Sequence, residues 1–186
     1  FDAALSAASD GFASGAITGA IMGGISGGLN PKYCFAAGTP IATANGAVAI
    51  ENIAVGDTVW SYDYKTGEKS LKPVTATTVR ETNHVITLEI GGEKIVTTPE
   101  HPLYVVNNEK YDGYIAAKYL ATGDYILTAD GGCLPITSIK QETLDEPITV
   151  YNFTVEDNHS YYVGEDELLV HNANGCANSL SDDAKD

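Results

Sequence analysis

Basic residues are scarce in this sequence, and their scarcity excludes one class of partner. Lysine and arginine together number 10 against 25 acidic residues, which gives a formal net charge of −15 at pH 7. Binding to nucleic acid depends on clustered lysine and arginine that neutralise phosphates, and no stretch of this chain concentrates them. We therefore expect no nucleic-acid partner.

Cysteine and histidine are also few, and their spacing argues against metal and disulfide scaffolds. The three cysteines, an odd number without a CxxC pair, are Cys34, Cys133 and Cys176. The four histidines are widely separated along the chain: His84, His101, His159 and His171. Disulfide frameworks use an even number of cysteines, and local metal motifs need ligands at short spacing. We therefore expect neither kind of site and no cofactor.

An initial methionine is missing as well, because the chain begins with Phe1. We expect that it is cut from a longer protein, so the lack of a signal peptide says nothing about secretion. Residues 1–33 are predicted to be an upstream flank, since residues 12–31 carry no charge and are rich in glycine, alanine and serine. A packed helix hairpin is one alternative. Membrane contact is disfavoured, because the apolar length is marginal and glycine costs about 1 kcal/mol per helical residue.

The stretch from Cys34 to Asn172 has the pattern of β-strands without long helical periods. Roughly 140 residues is the size of one ordinary domain, and the hydrophobic content of 44% is enough for a core. Glycine turns separate short β-branched runs, which predicts an all-β fold. Separate strands are expected at residues 72–80, 84–90, 134–140 and 148–155, and a short helix at 115–120.

A faint internal repeat divides this block into two halves. Residues 54–59 (AVGDTV) resemble residues 121–126 (ATGDYI). Each copy precedes a β-branched run and then a turn that contains a histidine, His101 in one half and His159 in the other. The repeat predicts two similar β subdomains, related by a pseudo-twofold axis and joined by long strands.

The residues with reactive side chains lie at the two borders of the block. Cys34 opens it, and its thiol is held beside the carbonyl carbon of the preceding residue, Tyr33. Asn172 closes it, and an asparagine amide can attack its own backbone carbonyl, form a five-membered succinimide and release Ala173. Neither reaction has to capture a second molecule, which removes much of the entropic cost.

Two further groups strengthen the chemical interpretation. Thr98 and His101 flank a proline turn, and a histidine there can donate a proton to the nitrogen of the attacked peptide near neutral pH. His171 precedes Asn172 and can polarise its carbonyl. Taken singly, each group has an ordinary alternative, namely a buried apolar cysteine, a solvated turn histidine or a loop dipeptide. Together, at a spacing that spans one domain, they favour chemistry over these alternatives.

Four ordered blocks of the sequence resemble the Hint (hedgehog/intein) family. They are residues 34–41 (CFAAGTPI), 98–102 (TPEHP), 150–161 (VYNFTVEDNHSY) and 169–172 (LVHN). The resemblance covers residues 34–172 and implies the all-β Hint/intein fold, with its pseudo-twofold subdomains closed into a compact horseshoe-like disc. Within the family the chain looks most like the bacterial intein-like domains and the pretoxin Hint domains of polymorphic toxins. That likeness implies a monomeric domain in a bacterial, secreted or cell-surface multidomain protein.

At the N-terminal border, the resemblance implies a role for each of the reactive residues. Cys34 attacks the carbonyl of Tyr33 and makes a thioester. His101 protonates the departing nitrogen, and Thr98 orients the scissile peptide. The result is an acyl group carried on the Cys34 sulfur.

At the C-terminal border, the resemblance implies that Asn172 cyclises with help from His171 and that His159 assists the later steps. Two positions depart from the family pattern. Asn152 stands where many inteins carry an acidic residue, and Ala173 stands where they carry Cys, Ser or Thr. Because alanine cannot accept the acyl group, the usual splicing branch is blocked, and water or another thiol must resolve the thioester.

The predicted function is therefore single-turnover self-processing, in which the domain cuts its own flanking segments away. The cuts are expected at Tyr33–Cys34, at Asn172–Ala173 or at both, and the released cargo is a toxin in the pretoxin relatives. Three alternatives stay open: splicing by a route that tolerates Ala173, a non-catalytic β linker module, and hedgehog-like sterol transfer. The terminal His-Asn pair argues against sterol transfer.

The downstream flank carries one further hypothesis. Residues 173–186 are polar and acidic and are expected to be disordered. Cys176 lies four residues after Asn172, so it is a candidate redox partner that would lock Cys34 in a disulfide until the chain meets a reducing compartment.

Overall fold

The structure is a computed structural model that describes residues 32–106 and 113–172. Within these residues it is almost entirely β, and twelve antiparallel strands belong to one strongly bent sheet. The strands are β1 (Phe35–Ala36), β2 (Pro40–Thr43), β3 (Gly46–Ala49), β4 (Thr58–Asp63), β5 (Glu68–Ile90), β6 (Glu93–Thr97), β7 (Pro102–Val106), β8 (Gly113–Ala116), β9 (Tyr125–Leu127), β10 (Cys133–Val155), β11 (Ser160–Val163) and β12 (Leu168–His171). The expected all-β fold class is confirmed.

Two strands of 23 residues each, β5 and β10, run through both halves of the molecule. They pair with each other over most of their length. Each was expected to be two separate strands, and that detail was wrong. Polar residues at 81–83 and 145–146 interrupt the apolar pattern of the sequence. The backbone hydrogen bonds of a strand do not depend on that pattern. A register shift between Thr143 and Ile148 absorbs the irregularity without ending the strand.

The repeated Gly-Asp turns have matching hydrogen bonds in the two halves. The N–H of Ala54 donates to the Asp57 carboxylate, and that of Ala121 donates to the Asp124 carboxylate, each at 2.8 Å. In both turns the glycine before the aspartate has a positive φ, 96° and 95° respectively. In both, the aspartate carbonyl accepts a 2.8 Å bond from the following long strand. The sequence repeat is therefore a structural repeat, and β5 and β10 connect its copies.

The core lies between the two halves and encloses the first short strand. Phe35 of β1 pairs with Thr97 of β6 on one side and with Tyr151 of β10 on the other. Phe35 and Cys34 are both fully buried. Burial of an aromatic ring at the second residue of the block draws the chain inward, so the first border lies inside the molecule rather than on a surface loop.

The short helix expected at residues 115–120 is present only in part. Strand β8 continues through Ala116, and a three-residue 3-10 helix, Ala117–Tyr119, follows it. Pairing of β8 with β7 satisfies the backbone there, while Ala117 and Leu120 place the apolar side chains in the core. Three features of the sequence lie outside the described residues: the uncharged, glycine-rich stretch of 12–31, Ala173 and Cys176. Across 32–106 and 113–172, no helix is long and apolar enough to span a membrane.

Candidate functional site

The peptide bond between Tyr33 and Cys34 is held by a single hydroxyl group. The Cys34 N–H, which belongs to this peptide, donates to Thr98 Oγ1 at 2.9 Å. The same hydroxyl donates to the Lys32 carbonyl at 2.7 Å. Thr98 follows directly after β6, whose pairing with β1 brings the two segments together. Thr98 therefore holds the backbone on both sides of Tyr33.

The other side of Cys34 is fixed as well. Its carbonyl accepts a bond of 3.0 Å from the Thr98 N–H and another of 3.0 Å from Thr97 Oγ1. Both threonine side chains are fully buried. The sequence analysis missed Thr97, because a threonine at the end of a strand has no distinguishing signal. Cys34 is thus clamped through both its N–H and its C=O, while its side chain points into the protein.

His101 lies in the same buried region. Its backbone N–H donates to the Thr98 carbonyl at 3.1 Å, which closes the proline turn. Its ring is fully buried, with the centroid 4.1 Å from the Phe35 ring and 6.1 Å from the Tyr33 ring. Neither ring nitrogen has a hydrogen-bond partner among the described residues. Burial, with a contribution from His171, lowers the His101 pKa from 6.5 to about 3. The ring is therefore neutral at ordinary pH and has a vacant nitrogen to accept a proton.

The Cys34 thiol has a cationic neighbour that the sequence analysis missed. Burial raises the pKa of this thiol, but a hydrogen bond from the Arg80 side chain and its positive charge act in the opposite direction. Arg80 lies on β5, within a run of threonine and valine. A lone arginine in such a run, in a chain with few basic residues, was the available signal. Arg80 stabilises the thiolate, which is the nucleophilic form of cysteine.

The second border is built from β11, β12 and the turn that precedes β11. Ser160 pairs with His171, and the Asn172 N–H donates to the His159 carbonyl at 2.7 Å. His159 has a φ of 51°, a conformation that a tight turn imposes on it. Asn172 is only 4% exposed, and its Oδ1 has no hydrogen-bond partner within the described part of the chain. The backbone N–H of Asn172 is thus held, while the Oδ1 of its side chain has no partner among the described residues.

His171 is positioned by two rings. Its centroid lies 4.6 Å from that of Tyr114, with the planes inclined at 51°, and 6.4 Å from that of His159. Burial, with a contribution from His159, lowers the His171 pKa from 6.5 to about 4. Tyr114 lies on β8, and the sequence analysis did not connect it with the site. A neutral His171 can donate a hydrogen bond to a carbonyl oxygen without carrying a buried charge.

The two borders converge near His101. Strand β12 pairs antiparallel with β7, with Val170 opposite Leu103, so the chain after Val170 runs back towards His101. The electrostatic influence of His171 on His101 agrees with this approach. Because the Tyr33 and Phe35 rings also contact His101, residues predicted separately at the two ends of the block occupy one region.

Asn152, which departs from the family pattern, has a structural partner. Its Oδ1 accepts a bond of 2.8 Å from the Tyr161 hydroxyl and one of 2.9 Å from the Phe153 N–H. Tyr161 is fully buried, and burial and the nearby Cys34 raise its pKa. Asn152 therefore holds Tyr161 beside the reactive cysteine, and its amide supplies no titratable proton. Within 32–106 and 113–172, no cluster of three or more His, Cys, Asp or Glu side chains is arranged to hold a metal ion.

Comparisons with known proteins give a family model and similar solved structures. A family model described as "Pretoxin HINT domain" matches residues 40–173. The bacterial intein-like domain from Clostridium thermocellum is 47% identical, with a TM-score of 0.70, and the match covers 75% of this chain and 98% of that one. A DnaB intein from Synechocystis sp. PCC 6803 matches with a TM-score of 0.65 at 18% identity, over 76% of this chain and 99% of that one. At that identity, the likeness shows the fold alone.

A curated protein also matches part of the chain. "Uncharacterized protein MJ0781" from Methanocaldococcus jannaschii is 34% identical over 92 residues, which is 48% of this chain and 13% of that protein. This chain therefore spans only a small part of the curated relative's length.

Proposed function

The chain belongs to the pretoxin HINT domain family, and on that premise we propose that it cuts its own backbone at Tyr33–Cys34 and at Asn172–Ala173. Membership of this family supports self-processing or splicing in general. The observation that carries the specific proposal is the Thr98 hydroxyl, which bonds the N–H of the first scissile peptide and the carbonyl of Lys32. A hydroxyl in that position orients one peptide bond for attack by the thiol next to it.

The first cut begins with the Cys34 thiol. Its sulfur attacks the Tyr33 carbonyl carbon, and the thiol proton passes to the neutral ring of His101. The bond from that carbon to the Cys34 nitrogen then breaks, and His101 returns the proton to the departing amine. Because burial lowers the pKa of His101 to about 3, the ring is a strong acid once it is protonated. Arg80 stabilises the thiolate during the attack, and the Tyr33 acyl group ends as a thioester.

The second cut uses the side chain of Asn172. Its amide nitrogen attacks its own backbone carbonyl, a succinimide closes, and the amine of Ala173 departs. The bond from the Asn172 N–H to the His159 carbonyl fixes the backbone for this attack. His171, neutral because its pKa is lowered to about 4, donates a hydrogen bond to the carbonyl oxygen as negative charge develops there.

Resolution of the thioester distinguishes cleavage from splicing. Ala173 has no hydroxyl or thiol, so the acyl group on Cys34 has no acceptor at the usual position. Attack by water or by another thiol then releases residues 1–33. Splicing by a route that tolerates Ala173 is the second candidate, and the convergence of both borders near His101 favours it. A peptide joining residues 1–33 to 173–186 would identify that route by its mass.

Two substitutions test the proposal with opposite expectations. In Cys34→Ala the cut at Tyr33–Cys34 should disappear while the cut after Asn172 remains, because the two steps use different atoms. In Asn172→Ala the cut after residue 172 should disappear while the cut at Tyr33–Cys34 remains. Cys133→Ala is the matched control, since it removes an exposed thiol and should leave both cuts unchanged. Intact mass followed over time measures all three. The proposal fails if the Cys34→Ala chain still breaks at Tyr33–Cys34 at the original rate.

A further inference from the structure

A positively charged groove lies beside the first scissile bond. It encloses about 330 Å³, and its lining includes Lys32, Arg80, His84 and Lys118. The carboxylate of Glu100 also lines it, 3.9 Å from the Lys118 ammonium. Three of the chain's 10 lysines and arginines therefore face one groove, although the protein carries a formal net charge of −15. Clefts lined by one sign of charge focus the field and concentrate ions of the opposite sign.

Two residues that line the groove also act on the groups of the first cut. Arg80 lines the groove, and while burial raises the pKa of the Cys34 thiol, the Arg80 side chain acts to lower it. Lys32 lines it, and the Lys32 carbonyl accepts the hydrogen bond from Thr98 that fixes the backbone at Tyr33. A small anion in the groove would therefore lie beside Arg80 and beside Lys32, the residue that precedes Tyr33. If the groove served only to orient the peptide before Cys34, it would not need three cationic side chains.

We propose that the groove binds a small thiol that carries a carboxylate, and that this anionic thiol takes the Tyr33 acyl group from Cys34. The inference rests on the proposed function, because it names the nucleophile that replaces the one missing at Ala173. The cationic side chains hold the carboxylate, and the thiol is then delivered to the thioester at high effective concentration.

The transfer is balanced without any oxidant or reductant. The sulfur of the incoming thiol forms a bond to the Tyr33 carbonyl carbon, and the bond from that carbon to the Cys34 sulfur breaks. The proton lost by the incoming thiol is taken up by the Cys34 thiolate. The products are residues 1–33 as a thioester of the small thiol and a domain whose Cys34 is again a thiol.

Three thiols of similar size but different charge provide the test: 3-mercaptopropionate, 2-mercaptoethanol and cysteamine. Release of residues 1–33 is followed by intact mass, with each rate divided by the thiolate concentration. We expect the anionic thiol to react about tenfold faster than the neutral one, equivalent to about 1.4 kcal/mol, with a rate that saturates. The cationic thiol should be slowest, and added salt should reduce the preference.

The Lys118→Glu variant tests whether the preference for the anionic thiol depends on the groove. Lys118 is exposed and has no part in the two cuts, so the variant should fold and should keep the wild-type rate with 2-mercaptoethanol. Its preference for 3-mercaptopropionate should fall to about twofold or less. Lys65→Glu, which makes the same change in the β4–β5 turn away from the groove lining, should retain the full preference.

The outcomes distinguish failure of the anionic-thiol site from failure of the self-cleavage on which it rests. Equal normalised rates for all three thiols, or an undiminished preference in Lys118→Glu, would overturn the anionic-thiol site while leaving cleavage through the thioester intact. If no thiol releases residues 1–33 from a chain that still cuts at Tyr33–Cys34, the thioester itself is disproved and both proposals fall.

Discussion

At the scale of single residues, the site includes polar atoms that the fold buries without hydrogen bonds. Both ring nitrogens of His101 and the Oδ1 of Asn172 lack partners within the described residues, although these side chains are 0% and 4% exposed. A buried polar atom without a bond costs roughly 1 to 3 kcal/mol of folding stability. The fold tolerates that cost where the vacant atoms face a reaction, and perturbed groups of this kind concentrate at functional sites.

Thr98 provides a prediction about one hydroxyl. Thr98→Ala removes the group that accepts from the Cys34 N–H and donates to the Lys32 carbonyl. We expect the cut at Tyr33–Cys34 to slow by about 10²- to 10³-fold, a loss typical of a positioned hydrogen-bonding group. Thr98→Ser keeps the hydroxyl and should remain within a few-fold of wild type. The cut after Asn172 is the internal control, and an equal loss in Thr98→Ala and Thr98→Ser would contradict the role.

His101 provides a prediction about pH and folding stability. Its pKa is about 3 in the folded chain against an ordinary 6.5, so between these values only the unfolded state binds the proton. The contribution of His101 to stability is therefore present above pH 6.5 and is lost as pH falls towards 3. The free energy of unfolding should decrease by about 1.4 kcal/mol per pH unit from this group alone.

The measurement uses a chain that cannot cut itself. In the Cys34→Ala/Asn172→Ala background, urea unfolding is compared with and without His101→Gln at pH 7.5, 6.5, 5.5 and 4.5. Carboxylates titrate equally in both chains, so the difference in slope reports His101. Identical slopes would mean that the histidine titrates normally in the folded protein, and its role as the strong acid that protonates the departing amine would lose its physical basis.

At the scale of elements, the repeated Gly-Asp turns connect the sequence to the pseudo-twofold fold. Gly56 and Gly123 have φ values of +96° and +95°, and an added Cβ would meet nothing within 4 Å at either position. The cost of a side chain there is therefore purely conformational. The two turns are copies of one local structure placed at opposite ends of the long strands.

The two copies of the Gly-Asp turn predict equal effects of the same substitution on stability. Gly56→Ala and Gly123→Ala should each lower the free energy of unfolding by about 1 to 3 kcal/mol through backbone strain. The two losses should agree within the error of the measurement and should add in the double variant, since the turns share no partners. Asparagine tolerates positive φ better than alanine, so the matching Gly→Asn variants should lose less. Unequal losses would show that the turns are not structural equivalents.

The elements also show which parts of the fold a sequence reveals. Turn residues such as Gly56 and Asp57 predicted the repeat, because local backbone geometry depends on the residues at the turn itself. The continuity of β5 and β10 was not predicted, because pairing over 23 residues is a tertiary property and polar residues at the solvent-facing positions disguise it. The helix expected at 115–120 is limited to Ala117–Tyr119 for the same reason, since pairing of β8 with β7 overrides local preference in the residues before it.

At the scale of the whole molecule, the predicted residues come together through topology. Motifs containing Cys34, His101 and Asn172 could be recognised in the sequence because each combines rare residue types at a definite order and spacing. Arg80 and Tyr114 could not be assigned to the site from the sequence, because the registers of their strands place them beside Cys34 and His171, even though an arginine in a threonine–valine run is itself unusual. A sequence motif identifies the residues that react, whereas the residues that tune them become visible only after folding.

The central claim is that the folded domain, rather than the peptide chemistry of its termini, breaks the two bonds. The most direct measurement is the identity of the new N-termini formed by the chain in native buffer and in urea. We expect products that begin at Cys34 and at Ala173 in native buffer, and neither product in urea. The built-in control is Asn174-Gly175, which in a flexible chain forms succinimide more readily than Asn172-Ala173 because glycine offers no side-chain obstruction. A break before Gly175, or release of Ala173 at the same rate in urea, would contradict the account.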